Sequence, residues 1–94
     1  YKRQIVKAQA IKDATMAYFI QKNRTEKSIF FHINGAYHSD FKEGIFWYLK
    51  QIDKNIKCLT ISTIEQDNIN LFNKENRFRA DFIIIVDNDM ISTY

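Results

Sequence analysis

Apolar residues recur at steps of three and four through the first quarter of the chain, a spacing typical of an amphipathic helix. This spacing predicts a helix over residues 2–23, and its several alanines favour helix and allow close approach of a neighbouring element. The polar residues from Gln21 to Lys27 mark its end. A second helix is predicted from Phe41 to Lys54, where Asp40 and Glu43 have the spacing of a capping box.

Three runs of β-branched or aromatic residues predict strands. Residues 28–34 and 80–87 are apolar on nearly both faces, which is typical of central parallel strands. Residues 57–65 alternate, which predicts that Leu59 and Ile61 face the core and that the Thr and Ser positions face water. The polar residues 66–79 are expected to form a loop or a short helix.

The order of these elements predicts an α/β fold: a three-layer, mostly parallel sheet flanked by helices, with the strands at 28–34 and 57–65 parallel. Two helices cover such a sheet poorly, and the chain starts inside a helical pattern without an initiator Met. We therefore expect a fragment of a larger domain, and the compartment stays open because an export signal could lie upstream.

Composition narrows the class of protein. Hydrophobic residues make up 46% and charged residues 27%, so the chain is expected to be globular. The longest apolar run, Phe82–Val86, is too short to cross a membrane. The net charge is +3, but the basic residues are scattered and no nucleic-acid recognition motif accompanies them, so a solvated helix face is favoured. The single cysteine, Cys58, excludes a disulfide framework and is expected in the core.

The turn Gly35-Ala36-Tyr37-His38 is the leading candidate site, because ligands bind beyond the carboxyl ends of parallel strands. Gly35 would let the backbone approach a ligand or take a positive φ. A neutral His38 could ligate a metal or accept a proton; the alternative is a loop histidine that bonds a neighbouring carbonyl. His32, inside the predicted strand, is expected to be a core histidine.

Other side chains leave alternatives open. Tyr37 and Trp47 could line an aromatic pocket, although core packing is the default for Trp47. Asp13 could be a simple solvated residue. A glycine inside a helix lowers stability by roughly 1 kcal/mol relative to alanine. We therefore expect that close packing or a ligand requires glycine at position 44. Asp87, at the end of a predicted strand, is equally compatible with a site carboxylate and with a loop cap.

The first half of the chain resembles a known family. Residues 8–17 (AQAIKDATMA) resemble the A-Q-x-x-K-D-x-x-M-A stretch of the ChaN-like haem-binding uptake proteins, part of the Tiki, TraB and erythromycin-esterase-like superfamily. The turn from Gly35 to His38 is similar to the family's G-x-x-H turn, and Gly44 lies where the family carries a Gly-Val-Pro-like segment. The likeness covers most of residues 1–54 and implies that residues 1–94 are the C-terminal part of a ChaN-like α/β domain, without the family's N-terminal Glu and His motifs.

This resemblance implies site residues. Gly35 and His38 carry over from the turn, and Gln9, Asp13 and Met16 are secondary candidates facing the same cleft. The leading hypothesis is a haem- or iron-uptake binding protein.

In that hypothesis Tyr37 and His38 contact haem. The alternative is a metal-assisted hydrolase in which His38 ligates a divalent metal or acts as general base, so whether the protein is an enzyme stays open; a third possibility is a scaffold that binds nothing alone. By resemblance, the expected partners are haem or another small molecule, no nucleic acid, a second copy in a homodimer, and a membrane through an upstream lipid anchor. The expected location is the cell envelope, as an outer-membrane lipoprotein or in the periplasm.

Overall fold

A computed structural model describes residues 2–90 and has α/β architecture. Two helices are followed by two strands: α1 (Lys2–Asn23), α2 (Ile45–Ile52), β1 (Ile61–Gln66) and β2 (Phe82–Asp87). Short 3-10 turns lie at Ala36–His38, Asp40–Lys42 and Lys74–Asn76. In this part of the chain, no helix has the length and apolar character that crossing a bilayer requires. The predicted fold class and the first helix are confirmed, and residues 67–79 form a loop with one short turn.

The buried core lies between α1 and α2. Its members are Ala17, Ile20, Ile45, Leu49 and Ile56, with Met16 and Tyr48 packed against them. Ala17 is completely buried, so its small side chain lets the two helices approach closely. Where the two helices end, Arg24 Nη2 lies 2.8 Å from Asp53 Oδ2. This ion pair joins the end of α1 to the residue after α2.

The sheet consists of β1 and β2, which are parallel and paired from Ile61 with Phe82 to Gln66 with Asp87. Both predicted strands are present with shifted ends. The expectation that the second is buried on both faces is wrong, because Phe82 and Ile84 are more than half exposed. Asp87 accepts a hydrogen bond from the backbone N–H of Asp89 at 2.9 Å, so it is a loop cap. Cys58, just before β1, is half-buried and lies outside the core; burial, and secondarily Asp81, raises the pKa of its thiol.

The predicted strand at residues 28–34 is wrong for the part of the chain that the structure describes. The segment joins no ladder, and Ile29 is 96% exposed. An apolar run becomes a strand only where a neighbouring strand exchanges backbone hydrogen bonds with it, and within residues 2–90 β1 pairs only with β2. His32 is exposed with the segment, so its assignment to the core is also wrong.

The face of β1 that turns inward is the opposite of the predicted one. Thr60 and Ser62 are buried, whereas Leu59 and Ile61 are mostly exposed. The reason is that each buried hydroxyl finds a carboxylate from a distant part of the chain, and a hydrogen-bonded hydroxyl can be buried at little cost.

One of these carboxylates was expected to cap the second helix. Asp40 instead accepts a hydrogen bond from Ser62 Oγ at 2.8 Å and forms an ion pair with Arg79. Helix α2 begins only at Ile45, after Gly44, without a side-chain cap. The capping-box prediction is therefore wrong, because the interactions of Asp40 with the sheet region replace the local cap.

The turn before α2 is strained and fixed to the sheet region. Phe41 (φ 60°) and Lys42 (φ 57°) both occupy the left-handed region, which is uncommon for residues other than glycine. The backbone N–H of Phe41 donates to the carbonyl of Arg79 at 2.6 Å, and Lys42 Nζ lies 2.7 Å from Asp81 Oδ1. Asp81 also accepts hydrogen bonds from the backbone N–H (2.9 Å) and hydroxyl (3.1 Å) of Thr60. The hydrogen bond from Lys42, followed by that from the Thr60 backbone, lowers the pKa of Asp81.

Candidate functional site

An open groove of about 720 Å³ lies between α1 and α2; we call it the α1–α2 groove. Helix α1 contributes one face of residues at helical spacing: Ile5, Val6, Gln9, Ala10 and Asp13. Because these positions recur at steps of one, three and four residues, their side chains lie along one side of the helix. This wall is apolar near the start of α1 and becomes polar at Asp13.

The opposite wall is aromatic. Trp47 and Tyr48 of α2 line the groove, and their rings meet edge to face at 4.9 Å with an interplanar angle of 89°. Tyr37 lies at the rim and is 91% exposed. Trp47 is more than half exposed, so the core-packing default is wrong. Tyr37 and Trp47 both border the groove, and their role in binding a ligand stays a prediction.

His38 is held by a carboxylate on α1. Its Nδ1 lies 2.6 Å from Oδ1 of Asp13, which is 8% exposed. A carboxylate can only accept, so His38 donates from Nδ1; in the neutral form of the imidazole, Nε2 then carries the lone pair. Asp13 is therefore not a simple solvated residue, and the partner of His38 is a carboxylate rather than a neighbouring carbonyl.

Gly44 lets the start of α2 lie directly on this pair. Its φ of 58° is unfavourable for residues with a Cβ, and a Cβ built there would lie 2.5 Å from the His38 carbonyl oxygen and 3.1 Å from Asp13 Oδ2. The expected packing reason for Gly44 is confirmed. Gly35 differs: its φ of −66° suits any residue, and the nearest atom to an added Cβ is His38 Cδ2 at 3.9 Å.

The structure separates the six predicted site residues into three groups. Gln9, Asp13 and Tyr37 line the groove. His38 sits beside it, bonded to Asp13, in the short turn that Gly35 precedes. Met16 packs against the buried core.

Sequence reasoning missed Ile5, Val6, Ala10, Glu43 and Tyr48 as groove residues. The spacing of Val6, Ala10 and Asp13 by four and three places them on one face of α1, so that signal was available. No pattern pointed to Glu43 as a groove residue, because its spacing from Asp40 predicted a capping box at the start of the second helix.

Metal-ligating side chains are sparse around His38. Within residues 2–90, no three or more His, Cys, Asp or Glu side chains come together in a group that could hold a metal ion. The divalent-metal and hydrolase alternative therefore stays a prediction.

Comparison with known proteins identifies the family. A family model described as haem-binding uptake, Tiki superfamily, ChaN matches residues 1–49. The chain belongs to this family. The ChaN match includes α1, the turn that carries Tyr37 and His38, and most of α2, so it contains both walls of the α1–α2 groove. No curated protein and no solved structure matches the chain.

Proposed function

We propose that the protein binds haem in the α1–α2 groove, with Tyr37 as the iron ligand, and that it serves haem or iron uptake. The observation that carries this proposal is the placement of an exposed phenol at the rim of a groove with aromatic and apolar walls. Membership of a haem-binding uptake family supports it.

The chemistry of the groove fits a porphyrin. A volume of about 720 Å³ lies within the range of small-molecule sites, roughly 300–1,000 Å³. Ile5 and Val6 offer an apolar surface to one porphyrin face, and Trp47 offers an aromatic surface from α2. A tyrosine phenolate is an established axial ligand of haem iron. When bound, haem supplies an iron centre with an open coordination position for such a ligand.

Tyr37 is a better ligand candidate than His38. Its hydroxyl has no hydrogen-bond partner within residues 2–90, and its ring reaches the groove. His38 does not line the groove. Its hydrogen bond to Asp13 uses Nδ1 alone, so its place beside the groove, and not that bond, makes it the weaker candidate.

The groove contains acidic side chains, and these bear on where the propionates of a bound haem could lie. Its lining residues include the acidic side chains of Asp13 and Glu43. Burying haem propionates beside carboxylates would be unfavourable, whereas the open groove lets the propionates stay in water. The carboxylates of Asp13 and Glu43 would therefore disfavour propionates inside the groove. An uptake role also fits a cell-envelope location; the lipid anchor and homodimer remain predictions.

The test is a titration of the full chain with haemin, followed by the Soret band and by electron paramagnetic resonance. We expect a Soret shift and the signature of phenolate ligation in the wild-type protein. Tyr37→Phe should remove that signature and weaken binding by about tenfold or more.

Tyr18→Phe is the matched control, because Tyr18 is also exposed but does not line the groove. It should bind haemin as the wild-type protein does. A wild-type protein that gives no Soret shift, or a Tyr37→Phe variant that keeps phenolate ligation, would contradict the proposal.

A further inference from the structure

We propose that Asp13 and His38 form an anchor that positions Tyr37 over the α1–α2 groove, so that both are positioning residues rather than iron ligands. This inference rests on the proposed function, because it explains how the chain holds the ligand that the function requires. Its evidence comes from contacts around the Ala36–His38 turn.

Tyr37 makes few contacts that could fix its own position. It is 91% exposed, and no side-chain hydrogen bond within residues 2–90 involves its hydroxyl. An unrestrained side chain loses conformational entropy when it binds a metal, which weakens the bond. The position of Tyr37 must therefore come from the backbone of its turn.

The segment before the turn does not fix that backbone. Residues 28–34 join no ladder and are largely exposed. Asn34 Nδ2 donates to the carbonyl of Gly35 at 2.7 Å and to Ser39 Oγ at 3.1 Å, but both bonds are internal to the turn region. They shape the turn without attaching it to a groove wall.

The attachment comes from the residue after Tyr37. His38 Nδ1 lies 2.6 Å from Asp13 Oδ1, and this contact joins the turn to α1 across 25 residues of sequence. Asp13 itself is buried on the helix face that lines the groove. A hydrogen bond to a charged group is among the stronger ones, roughly 1.5–3 kcal/mol, so it can hold a short turn against one helix.

The other side of the turn is held by α2. Gly44 approaches the His38 carbonyl so closely that an added Cβ would lie 2.5 Å from it. His38 thus lies between α1, to which its side chain is hydrogen-bonded, and the start of α2, which packs against its backbone carbonyl. Tyr37, the preceding residue, is placed at the rim by this arrangement.

The affinities for two porphyrins distinguish an anchoring role of Asp13 and His38 from a role in general packing. Metal-free protoporphyrin IX reports the groove alone, and haemin reports the groove together with the bond to iron. We expect Asp13→Ala and His38→Ala to weaken haemin binding by about 10–100-fold, as for other residues that orient a metal ligand. His38→Ala, at a residue beside the groove, should keep the wild-type affinity for metal-free protoporphyrin. Asp13→Ala changes the groove lining, so its affinity for metal-free protoporphyrin should change far less than its affinity for haemin.

Two further variants sharpen the comparison. Asp13→Asn retains an oxygen that accepts from His38 Nδ1–H, so it should keep most of the haemin affinity. Asp53→Ala removes the ion pair with Arg24, which joins the ends of the two helices and includes no groove residue, and should change neither affinity. The phenolate signature should disappear in the alanine variants of the anchor and persist in Asp53→Ala.

The outcomes distinguish this inference from the proposed function. If Tyr37→Phe weakens haemin binding but Asp13→Ala and His38→Ala do not, the anchor is wrong and the ligand assignment stands. If both alanine variants lose the two porphyrins equally, the pair serves only packing and the inference is overturned. If Tyr37→Phe has no effect and His38→Ala alone removes iron ligation, His38 is the ligand and both proposals fail.

Discussion

At the scale of single residues, the two glycines of the chain differ in what they require. Gly44 has a φ of 58° and no room for a Cβ beside His38, whereas Gly35 has a φ of −66° and free space. Gly44→Ala should lower the free energy of unfolding by about 2 kcal/mol or more, through backbone strain and displacement of the His38 carbonyl. Urea denaturation measures this difference.

Gly35→Ala is the control for that prediction. At a backbone conformation that alanine adopts freely, the substitution should be neutral or raise stability by up to about 1 kcal/mol. Equal destabilisation by the two substitutions would contradict the assigned role of Gly44.

The candidate residues were partly predictable at this scale. The G-x-x-H spacing pointed to His38, and the resemblance of the first helix pointed to Asp13. Their hydrogen bond was not predictable, because it joins residues 25 positions apart and depends on how the turn packs on α1. Trp47 was assigned to the core by default, because the residues around it in the sequence do not indicate that its face of the helix borders a groove.

At the scale of elements, packing between α1 and α2 should dominate stability. Leu49 is 4% exposed in the shared core, so Leu49→Ala should lower the free energy of unfolding by about 2–5 kcal/mol. Leu59→Ala makes the same chemical change at a mostly exposed position before β1 and should cost less than about 0.5 kcal/mol. Thermal or urea unfolding of both variants tests this, and a larger loss for Leu59→Ala would contradict the observed inward face of β1.

The ion pair between Lys42 and Asp81 predicts a dependence on pH. Because the folded state lowers the pKa of Asp81, this carboxylate stabilises the fold above its ordinary value of 3.8. The contribution is lost as the pH falls through the lower folded-state pKa. Asp81 and Lys42 are both partly exposed, so the contribution should be below about 1 kcal/mol.

Thermal unfolding of Asp81→Asn measures that contribution. The variant should melt below the wild-type protein at neutral pH, and the two melting temperatures should converge in strong acid. A difference that grows as the pH falls below 3.8 would have the wrong sign.

Local pattern predicted elements better than it predicted their partners. The long periodic run of α1 was sufficient to predict a helix, and the apolar run of β2 was sufficient to predict a strand. The strand expected at residues 28–34 failed because a strand requires a neighbour, which no local pattern encodes. The inward face of β1 was reversed because the partners of Thr60 and Ser62 lie in distant turns.

At the scale of the whole molecule, the family match and the groove occupy the same part of the chain. Residues 1–49 contain both groove walls and the anchored turn, whereas the sheet lies beyond them. The sheet region still bears on the site, because Asp40, Lys42 and Phe41 tie the strained turn before α2 to it. The prediction that residues 1–94 are one part of a larger domain stays a prediction.

The central claim is that haem enters the α1–α2 groove, and filling the groove tests it most directly. Ala10 lines the groove, whereas Ala8 lies on an exposed face of the same helix. We predict that Ala10→Phe weakens haemin binding by about tenfold or more, because the added ring occupies the space of the porphyrin. Ala8→Phe should bind haemin as the wild-type protein does. Equal affinity for haemin in Ala10→Phe and the wild-type protein would show that haem does not bind in the groove.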